Sequence, residues 1–296
     1  METPDDRSDA LDAAFASHPR DWRANRYVYP VLSRRSGGLS IGVNLNPDKA
    51  CNFDCIYCQV DRTIPPIVRT VDVEILRREL DDMLALALSG RLFDEPPFRD
   101  TPAAYRRIND IAFSGDGEPT ASPQFLPSVR AAIACKAARG ADAVRLVLIT
   151  DAAYLTRPAV REALALMDTA NGEIWAKLDA GTEAYFQQVN RPNVPLRRIL
   201  DNITDAARIR PVVIQSLWMR VRDEPPPAPE VEAFADRLNE IRAGGGQIAL
   251  VQLYTIARQT AEPYVRPLSH VELDRVAEHV RRTAADIPLR CFYGAE

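Results

Sequence analysis

Six short segments of nearly continuous apolar character recur along the chain: LSIGVNL (39–45), DIAFSG (110–115), VRLVLIT (144–150), EIWAKLD (173–179), VVIQSLWM (212–219) and QIALVQLYT (247–255). Short runs without polar alternation match strands buried on both faces of a parallel sheet. Between them apolar residues return every three or four positions, the period of a helix lying on a core. The stretches 71–88, 123–139, 157–167, 195–209 and 229–243 follow this rule, with Gly140 and a GGG run (244–246) as stops after two of them. SHVELDRVAEHVRRTA (269–284) closes the series. Its Ser269 is an expected N-cap, and Glu272 completes a capping box.

Strand and helix alternating six times predicts an α/β fold with right-handed crossovers and all-parallel strands. Six units are two short of a closed eightfold barrel, so the expectation is an open partial (β/α)6 barrel. Residues 39–256 form that barrel, preceded by an N-terminal extension (1–38) with one helix at 8–17 followed by irregular chain. Residues 257–296 supply a C-terminal helix and tail packed on it. PPPAP (225–229) is a stiff linker. Ligands of such sheets sit at the carboxyl ends of the strands. Polar residues gather there: Asn44 and Asn46 after strand one, SGDGEPT (114–120) after strand two, Thr150 and Asp151 after strand three, Lys177 and Asp179 on strand four, Gln252 and Tyr254 on strand six.

Composition narrows this only a little. Of 296 residues, 46% are apolar and 26% charged, as in ordinary globular proteins. The longest apolar run, MLALAL (83–88), is far too short to span a bilayer, and residues 1–25 contain no apolar stretch that would make a secretory signal. A cytoplasmic protein without membrane association is expected. The net charge of −4 speaks against broad nucleic-acid binding, although a local basic patch remains compatible with it. Only three of 37 basic residues are lysines, Lys49, Lys136 and Lys177.

Three of the five cysteines fall in NPDKACNFDCIYCQVDR (46–62), as C-x3-C-x2-C at Cys51, Cys55 and Cys58. Thiolates select zinc, copper(I) or iron–sulfur clusters. A structural zinc site usually needs four ligands. No second cysteine pair exists to complete one, so only Cys291, His18, His270 or His279 remains as a fourth; Cys135 lies mid-helix as an expected core residue. A [4Fe-4S] cluster on three thiolates leaves one iron open for a small-molecule ligand.

This loop, placed after the first strand of a partial barrel, closely resembles the radical S-adenosylmethionine (SAM) superfamily. The resemblance implies that the three cysteines hold a [4Fe-4S] cluster, that SAM chelates the fourth iron, and that one electron splits it into methionine and a 5′-deoxyadenosyl radical. It implies a low-potential donor such as flavodoxin or ferredoxin. Tyr57 matches the family's aromatic residue before the last cysteine, which helps hold the adenine; loop packing is its other reading. Ser114, Gly115, Asp116, Gly117 and Glu118 match the segment that holds the methionyl amino group, with Asp116 interrupting a plain Gly-Gly pair. Asp179 is able to accept two hydrogen bonds from vicinal ribose hydroxyls. Lys177, two residues away on the same strand face, is placed to pair with a carboxylate; a buried Lys177–Asp179 ion pair is the alternative. Thr150, Gln252 and Tyr254 are candidate cofactor or substrate contacts. Lys49, Asp151 and Cys291 are candidate catalytic residues.

LSIGVNLNPDKACNFDCIYCQ, FSGDGEPT, AKLDAG with VNRP (189–192), and LVQLYTIAR together look like the tRNA wyosine synthase group and its uncharacterised bacterial iron–sulfur oxidoreductase relatives, over residues 28–258. Archaeal-type members build a second cluster on upstream cysteines, and no cysteine precedes Cys51 here. The substrate therefore stays open among a nucleoside or tRNA, a small metabolite and a peptide. A radical SAM enzyme that activates or modifies a protein is the alternative function, and a structural zinc protein the more distant one.

Overall fold

The computed structural model describes residues 22–294, so the helix expected at 8–17 lies outside them. It comprises two compact units interleaved along the chain. One takes the described chain up to Ala50 together with Pro66–Leu148 and Glu162–Gly172; the other takes Cys51–Pro65, Ile149–Arg161 and the described chain from Glu173.

The first unit contains β1 (Val28–Ser33), β2 (Gly38–Val43), α1 (Val73–Leu88), β3 (Ile108–Phe113), α2 (Phe125–Ala138) and most of β4 (Arg145–Thr150) and α3 (Pro158–Asp168). Its strands run in the order β1-β2-β3-β4. β2, β3 and β4 are parallel, whereas β1 is antiparallel to β2, with Val28 opposite Val43 and Ser33 opposite Gly38. That corrects the all-parallel expectation, and it replaces irregular chain with a strand at 28–33. The reason lies in VYPVLS: Pro30 donates no ladder hydrogen bond, so the run reads as a poor strand, yet proline is tolerated at an edge. Leu39, Ile41 and Val43 of β2 are fully buried. α1 covers the core with Leu76, Leu80, Met83, Leu84 and Ala87, the helical spacing expected of its sequence. Asp72 caps it by accepting from the Glu74 and Ile75 amides.

The second unit contains β5 (Gly172–Lys177), α4 (Glu183–Asn190), α5 (Leu196–Ile209), β6 (Val212–Leu217), β7 (Met219–Val221), α6 (Ala228–Ala243), β8 (Ile248–Tyr254), β9 (Val265–Pro267), α7 (His270–Thr283) and β10 (Leu289–Phe292). β5, β6, β8 and β10 are neighbours in that order and all parallel, while β7 and β9 make a separate antiparallel ribbon. The capping box of α7 is present as expected, Ser269 and Glu272 each satisfying the other's backbone amide. Helix α4 was not expected. Two turns of EAYFQQVN give too few repeats for a periodicity to stand out, and the helix is held instead by its Thr182 cap and by burial of Tyr185, Phe186 and Val189. Among the described residues no helix is long and apolar enough to cross a membrane.

Candidate active site

The cysteine loop belongs to the second unit, and the segment at the end of α4 holds it there. The Ile56 amide donates to the Val189 carbonyl at 3.0 Å, and Phe53 forms a β-bridge with Pro192. The Phe53 ring meets Phe186 edge-on, centroids 5.6 Å apart. Arg191, whose backbone is left-handed at φ 42°, ion-pairs with Asp54 at 3.2 Å and Glu262 at 2.8 Å, and donates to the Tyr264 hydroxyl at 3.0 Å. From the other side the Ala261 amide donates to the Cys58 carbonyl at 2.8 Å. Between these ties a turn closes from the Cys58 amide to the Cys55 carbonyl at 3.0 Å.

None of the three cysteines of the loop is in a disulfide; Cys51 is exposed and Cys55 and Cys58 are half-buried. Two receive side-chain N–H groups: Asn190 Nδ2 lies 3.6 Å from Cys55 Sγ, and Arg62 Nη1 lies 3.2 Å from Cys58 Sγ. Burial pushes the Cys55 thiol up to about 12, so without a metal it holds its proton at neutral pH. Among the described residues no group of three or more His, Cys, Asp or Glu side chains converges on a single ion position.

Beside the loop is a buried polar network that strand register explains. Lys177 on β5 pairs with Gln215 on β6, Gln215 with Gln252 on β8, and Gln252 with Arg290 on β10. Paired residues of parallel neighbours share a face, so these four form a row that is exposed at its Arg290 end, and Asp179 and Tyr254, each two residues further on, lie on that face as well. Asp179 is almost wholly enclosed, and four donors fill its carboxylate: Lys177 Nζ at 3.2 Å, the Leu217 amide at 2.8 Å, the Tyr57 hydroxyl at 2.5 Å and Asn190 Nδ2 at 3.2 Å. A carboxylate offers about four lone-pair sites. The vicinal hydroxyls expected at Asp179 thus find its acceptor capacity already taken by the protein. Lys177 donates to the Tyr254 hydroxyl at 2.7 Å and lies 5.1 Å and 5.3 Å from the Tyr57 and Tyr254 ring centroids. Burial works against its ammonium, but the Asp179 carboxylate and Tyr254 outweigh it, and its pKa stays above the ordinary lysine value. Tyr57, expected against adenine, is itself buried, its ring beneath Lys177 and its hydroxyl bonded to Asp179.

In the first unit the turn after β3 folds onto the residues that follow β2. Asn44 Nδ2 donates to Asp116 Oδ2 at 2.7 Å, and its Oδ1 accepts from the Asn46 and Asp116 amides at 3.0 and 3.2 Å. The Ser114 amide donates to the Val43 carbonyl at 3.1 Å. A Cβ on Gly115 would lie 2.4 Å from Asn44 Oδ1, and one on Gly117 would lie 2.1 Å from the Ala50 carbonyl oxygen. The two glycines of SGDGE are therefore demanded by close approach, and the intervening Asp116 is locked by Asn44. Glu118 is buried and accepts from the Thr120 amide at 3.0 Å, capping the short turn behind it. Gly117→Ala forces the methyl into backbone that has no rotamer to escape with, and is expected to cost about 3 kcal/mol, read as a lowered urea midpoint.

The remaining candidates are spoken for locally. Thr150 Oγ1 accepts from the Ala152 amide at 3.0 Å and Asp151 Oδ1 from the Ala153 amide at 2.9 Å, shaping a turn in which Ala152 is left-handed. Lys49 closes another left-handed turn, its amide donating to the Asn46 carbonyl at 2.9 Å. Lys136 is buried and donates to the Ala170 carbonyl at 2.7 Å, and Cys135 is a core residue of α2. Cys291 pairs with Leu253 and so points to the face opposite Gln252 and Tyr254, where Arg281, Asp274 and Tyr293 surround it. This parity takes it out of the Lys177 network. Asn190, Arg191 and Arg62 were missed as site residues; VNRP carried the only trace of the first two.

No family model matches the chain. It is 28% identical over 179 residues to the UPF0026 protein of Methanocaldococcus jannaschii, an alignment covering 60% of this chain and 46% of that protein. The chain thus spans less than half the length of that relative. Among solved structures it is similar to a radical SAM methyltransferase from Sphaerobacter thermophilus, with a TM-score of 0.61 and 14% identity over 90% of this chain and 69% of that one. It is also similar to Streptococcus suis SuiB bound to S-adenosylmethionine, with a TM-score of 0.57 and 13% identity over 88% of this chain and 52% of that one. The chain has the fold of radical SAM enzymes, an α/β partial barrel built mostly of parallel strands.

Proposed function

We propose that this protein is a radical SAM enzyme, with Cys51, Cys55 and Cys58 as ligands of a [4Fe-4S] cluster and SAM as the ligand of its fourth iron. The observation that carries the reading is a loop bearing three cysteines outside any disulfide, anchored by backbone ties at Ile56 and Cys58 in a chain with the fold of radical SAM enzymes. The donor set fits such a cluster: all three donors are thiols, and each would bind a different iron, so they need not converge on one point. When bound, the cluster supplies one electron that splits SAM into methionine and a 5′-deoxyadenosyl radical.

The chain's own residues then have defined tasks. The α4 end and the post-β8 segment hold the loop. Asp179 fixes Tyr57 beside the cysteines, and the Lys177 ammonium keeps a positive charge next to the loop. A flavodoxin- or ferredoxin-class donor and a cytoplasmic setting belong to this reading. The substrate class nearest to the resemblance is a nucleoside.

Anaerobic reconstitution with iron and sulfide tests the assignment. About four irons and four sulfides per chain are expected. One tightly held zinc and no sulfide would move the loop to the structural-metal class.

A further inference from the structure

We infer that Asn190 and Arg62 are positioning residues that raise the reduction potential of the cluster, each by donating an N–H to one of its thiolates. The inference rests on the cluster assignment above. Asn190, the last residue of α4, is buried, and its Nδ2 reaches three acceptors: the Tyr57 hydroxyl at 2.8 Å, Asp179 Oδ2 at 3.2 Å and Cys55 Sγ at 3.6 Å. Its Oδ1 is buried with no hydrogen-bond partner. The orientation of the amide is nonetheless decided. Turning it over would set a carbonyl oxygen against the Asp179 carboxylate and the Cys55 sulfur, so the N–H groups face both. An asparagine that leaves its acceptor unused at this burial bears a desolvation cost, which is consistent with a site kept for its donor.

Arg62 approaches from solvent. It is exposed, four residues beyond Cys58, with Nη1 3.2 Å from that sulfur. Two of the three ligand sulfurs therefore carry a donor each, one neutral and buried, one charged and exposed.

The consequence follows from charge. Passing from the 2+ to the 1+ state adds one electron to the cluster, and the negative charge on its sulfurs grows. N–H donors and a nearby guanidinium favour the reduced form and raise the potential. Removing either shifts it downward. The two contributions differ in one further respect: the buried Asn190 bond lies beyond screening, whereas the Arg62 charge is screened by salt.

The test is a redox titration of the reconstituted full-length protein with dithionite, followed by the electron paramagnetic resonance signal of the reduced cluster, at low and high salt. At low salt Asn190→Ala and Arg62→Ala are each expected to cut the ratio of reduced to oxidised cluster about tenfold at a fixed poise, about 59 mV for one electron. The Arg62→Ala shift shrinks at high salt, the Asn190→Ala shift persists, and Arg62→Lys restores most of the wild-type potential. Iron and sulfide content stays as in wild type. Unchanged potentials in variants with full iron content overturn the inference and leave the cluster assignment standing. A wild type that takes up no iron and sulfide overturns the assignment and the inference with it. Should Asn190→Ala fail to fold, the exposed Arg62→Ala decides: an unshifted potential there overturns the proposal.

Discussion

Cys55→Ala is expected to abolish both iron–sulfur loading and 5′-deoxyadenosine formation, a loss of at least about a hundredfold, while leaving the chain folded. The argument has two parts. A cluster on three protein thiolates has no spare ligand, and removing one frees a second iron to be lost. The site itself survives, because Cys55 is half-buried and truncating one thiol costs on the order of 1 kcal/mol, against a loop tied through Ile56, Phe53, Arg191 and Cys58. Iron analysis and a circular dichroism melt of the same preparation separate these effects. The control is Cys135→Ala: that thiol sits in the core of α2, so its loss lowers stability without touching iron content. A Cys55→Ala protein that still binds a full complement of iron and makes the nucleoside would remove this cysteine from the ligand set.

Asp179→Ala is expected to be the most destabilising single change in the second unit, by about 3–5 kcal/mol. Its carboxylate takes donors from four directions, and without it the Lys177 ammonium, the Tyr57 hydroxyl, the Asn190 amide and the Leu217 amide lose an acceptor together. The ammonium matters most, because it lies between two tyrosine rings with its side chain only 20% exposed. Asp179→Asn keeps an acceptor oxygen and part of the geometry, and is expected to cost about half as much. In a Lys177→Met background the penalty of Asp179→Ala shrinks, since no buried charge is then left alone. Urea unfolding of the metal-free protein reads all four variants. A loss below about 1 kcal/mol for Asp179→Ala would mean that water replaces the carboxylate.

The local parts of this architecture are legible in the chain because short-range rules create them. Buried strands are apolar runs, α1 and α5 repeat their apolar residues at helical spacing, and the three cysteines share one loop because they are neighbours in sequence. The Ser269–Glu272 capping box is likewise a four-residue pattern. What could not be read depends on register and distance. Tyr57 meets Asp179 across 122 residues and Asn190 across 133, so nothing near Asp179 in sequence says that its carboxylate is already filled. The side on which Cys291 falls is set by the pairing of β10 with β8, where a shift of one residue would turn it to the other face. Pro30 hides β1 for a reason that only its edge position cancels. Nothing local in SGDGE says that its two glycines are pressed against Asn44 and Ala50.

The most direct test of the central claim is one assay: the reconstituted protein, dithionite and SAM under anaerobic conditions, with 5′-deoxyadenosine measured over time. Steady formation of the nucleoside in wild type, absent from Cys55→Ala, is the predicted result. A wild type loaded with iron and sulfide that binds SAM but never forms 5′-deoxyadenosine would contradict it.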